Sequence, residues 1–173
     1  MPTFTQIGTA QVAGAGGATS FDFTSIPNTY TDLVLKLSLR DTSTGDPAGN
    51  VCNISFNGST SGFTGRILFG EGSGSGGSTT AFPRVIATIP TSATGSTAST
   101  FGNAEVYIPN YAGSTNKSYS SDAVAERNAT ASYMYLVAGL WSNTAAINQI
   151  TISSNSGNFV QYSTAYLYGV SNA

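Results

Sequence analysis

In 32-DLVLKLSLRD-41, Leu33, Leu35, Leu37 and Leu39 fall on alternate positions, with Val34, Lys36, Ser38 and Arg40 between them. A strand sends successive side chains to opposite faces, whereas a helix brings a face back only every third or fourth residue. Leucines at a spacing of two therefore predict a strand with one buried face and one wetter face. Lys36 and Arg40 share the wetter face, roughly 13 Å apart at the rise of a strand.

The same alternation recurs along the chain, broken by clusters of Gly, Asn, Asp and Ser. Residues 3–12 and 18–24 predict a strand pair joined across 14-GAGG-17, with Phe21 and Phe23 buried. Residues 51–69 read as a hairpin turning at Asn57-Gly58, with Cys52, Ile54 and Phe56 on one face. Further strands are predicted at 84–89, 101–108 and 117–126. The segment 131-ASYMYLVAGLW-141 is apolar on both alternations, which implies a strand that is central or covered on both faces. Residues 147–153 and 158–170 predict a closing hairpin across 154-SNSG-157. The run 70-GEGSGSGGSTT-80 predicts a flexible loop outside the sheets. Only 121–140 offers a helical alternative, and its Tyr, Val and Met content favours strand. The expectation is one all-β domain over residues 1–173, an antiparallel β-sandwich of jelly-roll type with about ten strands.

Composition narrows the function classes. Charged residues are only 8% of the chain, against roughly 25% in average proteins. Ser, Thr, Asn and Gly take their place, so hydroxyls and amides keep the surface wet. Nine Phe and nine Tyr argue against disorder. A net charge of −2 gives no field to attract nucleic acid. The start, MPTFTQIGTAQVAG, lacks the basic and apolar regions of a secretory signal, and no apolar run is long enough to span a bilayer. The expectation is folding in a cytoplasm, with neither membrane nor nucleic acid as partner.

Histidine is absent and Cys52 is the single cysteine, which removes the commonest general base, a disulfide framework and a zinc site. No GxSxG elbow or SxxK motif occurs. Cys52 lies on the inward alternation and reads as a buried, inert thiol. Glu105, Asp122 and Glu126 are the carboxylates that could pair for glycoside hydrolysis, although a solvated strand face explains Glu105 equally well. Asp41, Asp46 and Asn50 could offer oxygens to calcium, but their spacing is not that of an EF-hand, and Asp and Asn are ordinary turn residues. The glycines at 70–77 lack the Lys-Ser/Thr of a phosphate loop. The Asn-x-Ser/Thr triplets at Asn53, Asn57, Asn116 and Asn128 occur at the rate expected by chance in so Ser/Thr-rich a chain. The reading is a protein without enzymatic activity, cofactor or metal.

Aromatic residues carry more. Tyr162, Tyr166 and Tyr168 alternate along the last predicted strand, and Tyr133, Tyr135 and Trp141 recur on another. One such stripe fills a core; two exceed what a single sandwich requires, although placing all of them in the core explains them equally well. Tyr and Trp favour interfaces because they bury area and keep a polar tip. These six residues, with Lys36 and Arg40, are the candidate interface.

Four blocks, 7-IGTAQVAGAGGATSFDFTSIPNTYTDLVLKLSLRD-41, 105-EVYIPNYAGSTNKSYSSD-122, 138-AGLWSNTAAINQITI-152 and 158-NFVQYSTAYLYGV-170, resemble a module of virion proteins in tailed bacteriophages, notably marine and cyanobacterial ones. The phrases FTSIP-TYTDLVL, IPNYAG and ST-YLYG carry the likeness, and the Gly/Ser-rich middle lies outside it. Such modules occur on capsids and on tail fibres. The resemblance implies a virion structural protein. First in rank is a capsid decoration, or cement, protein that binds the outer shell and stabilises it. Its partners would be the major capsid protein and its own copies, as a trimer. The chain reads as starting at its own Met, with no heptad-bearing shaft of the kind a fibre needs. The alternative is a tail-fibre or receptor-binding module that reads host glycans through loops 70–80 and 91–100. A small glycoside hydrolase using Glu105 with Asp122 or Glu126 is the remote third.

Overall fold

The computed structural model describes residues 1–44, 50–71, 74–78, 84–90, 96–126 and 132–171. These form thirteen strands and no helix. They are β1 (Thr3–Gln6), β2 (Gln11–Val12), β3 (Ser20–Phe23), β4 (Asp32–Leu39), β5 (Asn50–Phe56), β6 (Phe63–Glu71) and β7 (Gly74–Ser78). There follow β8 (Val85–Ile89), β9 (Gly102–Ile108), β10 (Lys117–Ala125), β11 (Tyr133–Trp141), β12 (Ile150–Ser154) and β13 (Thr164–Ser171). A nine-stranded sheet runs β1-β13-β4-β9-β10-β11-β6-β7, with β2 also on β13; a four-stranded sheet runs β3-β12-β5-β8. All pairings are antiparallel.

From β3 onward the chain changes sheet at almost every step. β3, β5, β8 and β12 belong to the small sheet; β4, the β6–β7 pair, β9 to β11 and β13 belong to the large one. This interleaving is the jelly-roll path expected of the sandwich. It also corrects three predicted hairpins. Segments 3–12 and 18–24, β5 and β6, and β12 and β13 are neighbours in sequence but lie in opposite sheets. The turn at Asn57-Gly58 does form: both residues have positive φ, and Ser59 N donates to Phe56 O at 2.8 Å. The chain then leaves for the other sheet, because Phe56 and Phe63 must face the same core from opposite sides.

That core lies between the sheets. Leu33, Leu35, Leu37 and Leu39 point inward, each at most 4% exposed. Cys52, Ile54 and Phe56 meet them from β5, with Phe21 and Phe23 from β3 and Ile150 and Ile152 from β12. Trp141 and Tyr119 pack their rings on Phe56, with centroids 5.5 and 5.9 Å away.

The predicted loop at 70–80 is partly strand. Gly70 and Glu71 finish β6, and Gly74–Ser78 pair with it from Ile67↔Ser78 to Glu71↔Gly74. An edge strand needs only backbone groups to join the ladder, so glycine and serine suffice where there is no core to fill. Residues 72–73 and 79–80 lie outside the described ones.

Candidate functional site

The outer face of the nine-stranded sheet carries the unexplained residues. Across it the register sets Tyr166, Lys36, Glu105, Asp122, Leu136 and Leu68 in one row. Lys36 Nζ donates to Glu105 Oε2, and the two side chains are 52% and 41% exposed. One row away Val34, only 3% exposed, sits between Tyr168 and Tyr107. The Tyr107 hydroxyl donates to Asp32 at 2.8 Å, which pushes its pKa up, with burial adding to the effect.

Beyond Asp122 the face turns apolar. Leu68, Met134, Leu136 and Val124 are 60%, 59%, 56% and 36% exposed, and they line a shallow depression of about 580 Å³. They come from three adjacent strands, so the patch is contiguous. Contiguous exposed apolar side chains of this kind are uncommon on a solvated sheet face.

The predicted aromatic interface is corrected here. Trp141 is 2% exposed and stacks in the core on Phe63, with centroids 6.0 Å apart. Tyr133 and Tyr135 share its inward face and are half-buried; Tyr135 packs on Phe69 at 6.2 Å. The open face belongs to the alternate set of the same strand, which includes Met134 and Leu136. The double alternation of 131–141 fits the central place of β11, between β10 and β6, and only one of its faces is covered. Tyr166 and Tyr168 are half-buried on the outer face beside Lys36 and Val34, where an interface can use them. Tyr162 is not on the strand. It stands two residues before β13 with φ 72° and is 69% exposed.

Arg40 departs furthest from expectation. β4 ends at Leu39, and Arg40 is only 7% exposed. Its Nη1 donates to Thr97 O, Thr100 O and Thr100 Oγ1 at 2.8–3.0 Å. Burial pushes its pKa down, and the nearby Asp41 charge opposes the shift. The sequence placed it with Lys36 because alternation continues past the strand's end; the segment 96–100 folds over it instead. Of the loop at 91–100, residues 91–95 lie outside the described ones.

Asp41 is fully buried. Its carboxylate accepts from Ser43 N and Oγ, Asn50 Nδ2 and Ser154 Oγ. These bonds make Asp41 and Asn50 a turn network, while Asp46 lies outside the described residues. Cys52 is buried beside it, and burial pushes the thiol pKa up. Among the carboxylates, Glu105 and Asp122 are Cα partners on the open outer face, with Glu105 engaged by Lys36. Glu126 follows the end of β10 and is exposed. Asp122 and Glu126 line different depressions, and Glu105 lines neither.

The phrases that carry the virion resemblance meet at one end of the sandwich. From the first, Tyr30 lies over Gly169 of the last, and Pro27 O accepts from the Tyr111 hydroxyl of IPNYAG. Asp32 Oδ1 accepts from Asn110 N at 2.9 Å. This interlock holds the strands together. Comparison with protein-family models, curated proteins and solved structures returned no match.

Proposed function

We propose that the protein is a structural component of a tailed-phage virion, a decoration protein that binds the outer capsid surface and reinforces the shell. The observation that carries this reading is the contiguous apolar patch of Leu68, Val124, Met134 and Leu136 on a rigid, low-charge sandwich. Such a patch suits a permanent, largely dry contact, which large apolar side chains stabilise by leaving water. With only 8% charged residues, that contact depends little on ionic strength. The quoted phrases supply the virion context, and their interlock supports a shared scaffold rather than a shared active site. The half-buried Tyr166 and Tyr168 extend the same face towards β13, leaving room for a second contact between copies in a trimer.

The test is the protein's stoichiometry and position on purified particles. A decoration protein on a symmetric shell is present on the order of hundreds of copies and appears at regular capsid positions by electron microscopy. On the order of tens of copies, confined to the tail, would favour the fibre reading. Absence from purified particles would sink both.

A further inference from the structure

Two cations among the described residues are buried, and they differ in one respect. Lys117 is 1% exposed, and its ammonium donates to the carbonyls of Gly113, Thr115 and Thr144. An ammonium has only that many protons, so it is fully used. Arg40 is 7% exposed, and each of its guanidinium hydrogen bonds among the described residues leaves from Nη1. Nε and Nη2 keep their donors. Among the described residues no carboxylate hydrogen-bonds the Arg40 guanidinium; the neighbouring Asp41 acts on it only through its charge. Those donors are not buried without a partner, so they are open to solvent, and a fork with open donors is shaped for a carboxylate.

Arg40 lines a depression of about 440 Å³ with Ser99, Phe101, Val160, Gln161 and Tyr162. Its volume falls within the range of small-molecule sites. Ser99 and Tyr162 hold left-handed backbone, at φ 61° and 72°. That conformation is uncommon for any residue with a β-carbon and a true outlier for a bulky one such as tyrosine. Strain of this kind is kept where the surroundings impose it, and it gathers at ligand sites. Tyr162 is 69% exposed and lines the same depression as Arg40.

We propose that this depression binds an acidic sugar, with the carboxylate on Arg40, a face of the sugar ring on Tyr162 and a hydroxyl on Gln161. The carboxylate follows from the unpaired cation, whose fork can take both oxygens. The ring follows from the exposed tyrosine, an apolar face with a polar tip. Thr97 and Thr100 take Nη1, which leaves Nε and Nη2 for the ligand. The site is separate from the apolar patch and does not rest on the virion reading.

The experiment is a titration of the full chain, followed by NMR at the Arg40 Nε–H and the Tyr162 ring, with glucuronate, glucose and acetate as probes. Saturable shifts at both groups with glucuronate, and at least tenfold weaker response to glucose and acetate, are expected. Tyr162→Ala removes an exposed ring and should weaken glucuronate at least tenfold with the Arg40–Thr97 contact intact. Arg40→Lys keeps the charge, loses the fork and should weaken it similarly; its amide spectrum reports whether the segment 96–100 stays in place. Equal affinity for acetate and glucuronate would overturn the proposal in favour of a bare anion site. Silence of both groups, or a response to acidic peptide but not to glucuronate, would overturn it as well.

Discussion

The ring of Tyr30 lies against the backbone of Gly169, so close that a β-carbon built there would stand 2.3 Å from Tyr30 Cγ. Only glycine admits the ring. Gly169→Ala must push Tyr30 outward or bend β13, and overpacking of this type costs about 1–3 kcal/mol. Urea denaturation should show that loss. Combining the change with Tyr30→Ala should recover part of it, because the clash is then gone.

Truncating the leucine face should cost more. Leu35 is completely buried, and Leu35→Ala leaves a cavity between the sheets worth about 2–5 kcal/mol. A measured loss near 0.5 kcal/mol, normal for a surface position, would contradict the inward assignment.

The Lys36–Glu105 pair should matter little for stability. Both side chains are well exposed, and such pairs contribute about 0.2–1 kcal/mol, less in salt. Lys36→Ala should therefore leave the melting temperature nearly unchanged in high salt. It should also leave particle binding unchanged unless a partner's carboxylate meets the same lysine.

Alkaline pH should destabilise the protein. Burial pushes both the Cys52 thiol and the Tyr119 hydroxyl up; the Asp41 charge reinforces the first, and the Arg84 charge opposes the second. A group whose folded pKa is raised stays protonated when the unfolded chain has lost its proton. The unfolded chain then binds fewer protons, and stability falls as pH rises. The fall begins near the unfolded values, roughly 8.5 for Cys and 10 for Tyr. Stability curves from pH 7 to 11 should show it, and Cys52→Ala should flatten the first part. The native thiol should resist thiol reagents until the protein unfolds.

Leu136→Asp tests the apolar patch. Leu136 is 56% exposed, so the fold should survive with a change of about 0.5 kcal/mol or less. Occupancy on the particle should fall sharply, because a carboxylate would be forced into a dry contact. Normal occupancy with normal folding would remove this face from the proposal.

How much of this was legible depended on distance along the chain. Alternation assigns Leu33 to Leu39, Phe21 and Cys52 to the core because the period of a strand is a local property. Strand partners are not local: β12 and β13 are neighbours in sequence, yet each pairs in a different sheet, and nothing in 154-SNSG-157 says so. Arg40 was misplaced for a related reason. Its position follows from where β4 stops and from Thr97 and Thr100, more than fifty residues away. Met134 and Leu136 were read as apolar correctly, but which side of β11 is open depends on the small sheet's reach. The glycines of β7 carry no side-chain signal, so their pairing with β6 could be read only from the fold.

Among the described residues β1 and β2 find their only strand partner in β13, which enters between them and β4. On a ribosome adding about 5–20 residues per second, Val12 waits roughly 8–30 s for Thr164 to be made. During that time β4 has an unpaired edge and its leucines lack part of their cover. Closure of the large sheet is thus a late, long-range event, of the kind that makes all-β domains fold slowly. A chain stopped before Thr164 should remain bound to chaperones or aggregate, however sound the strands already synthesised.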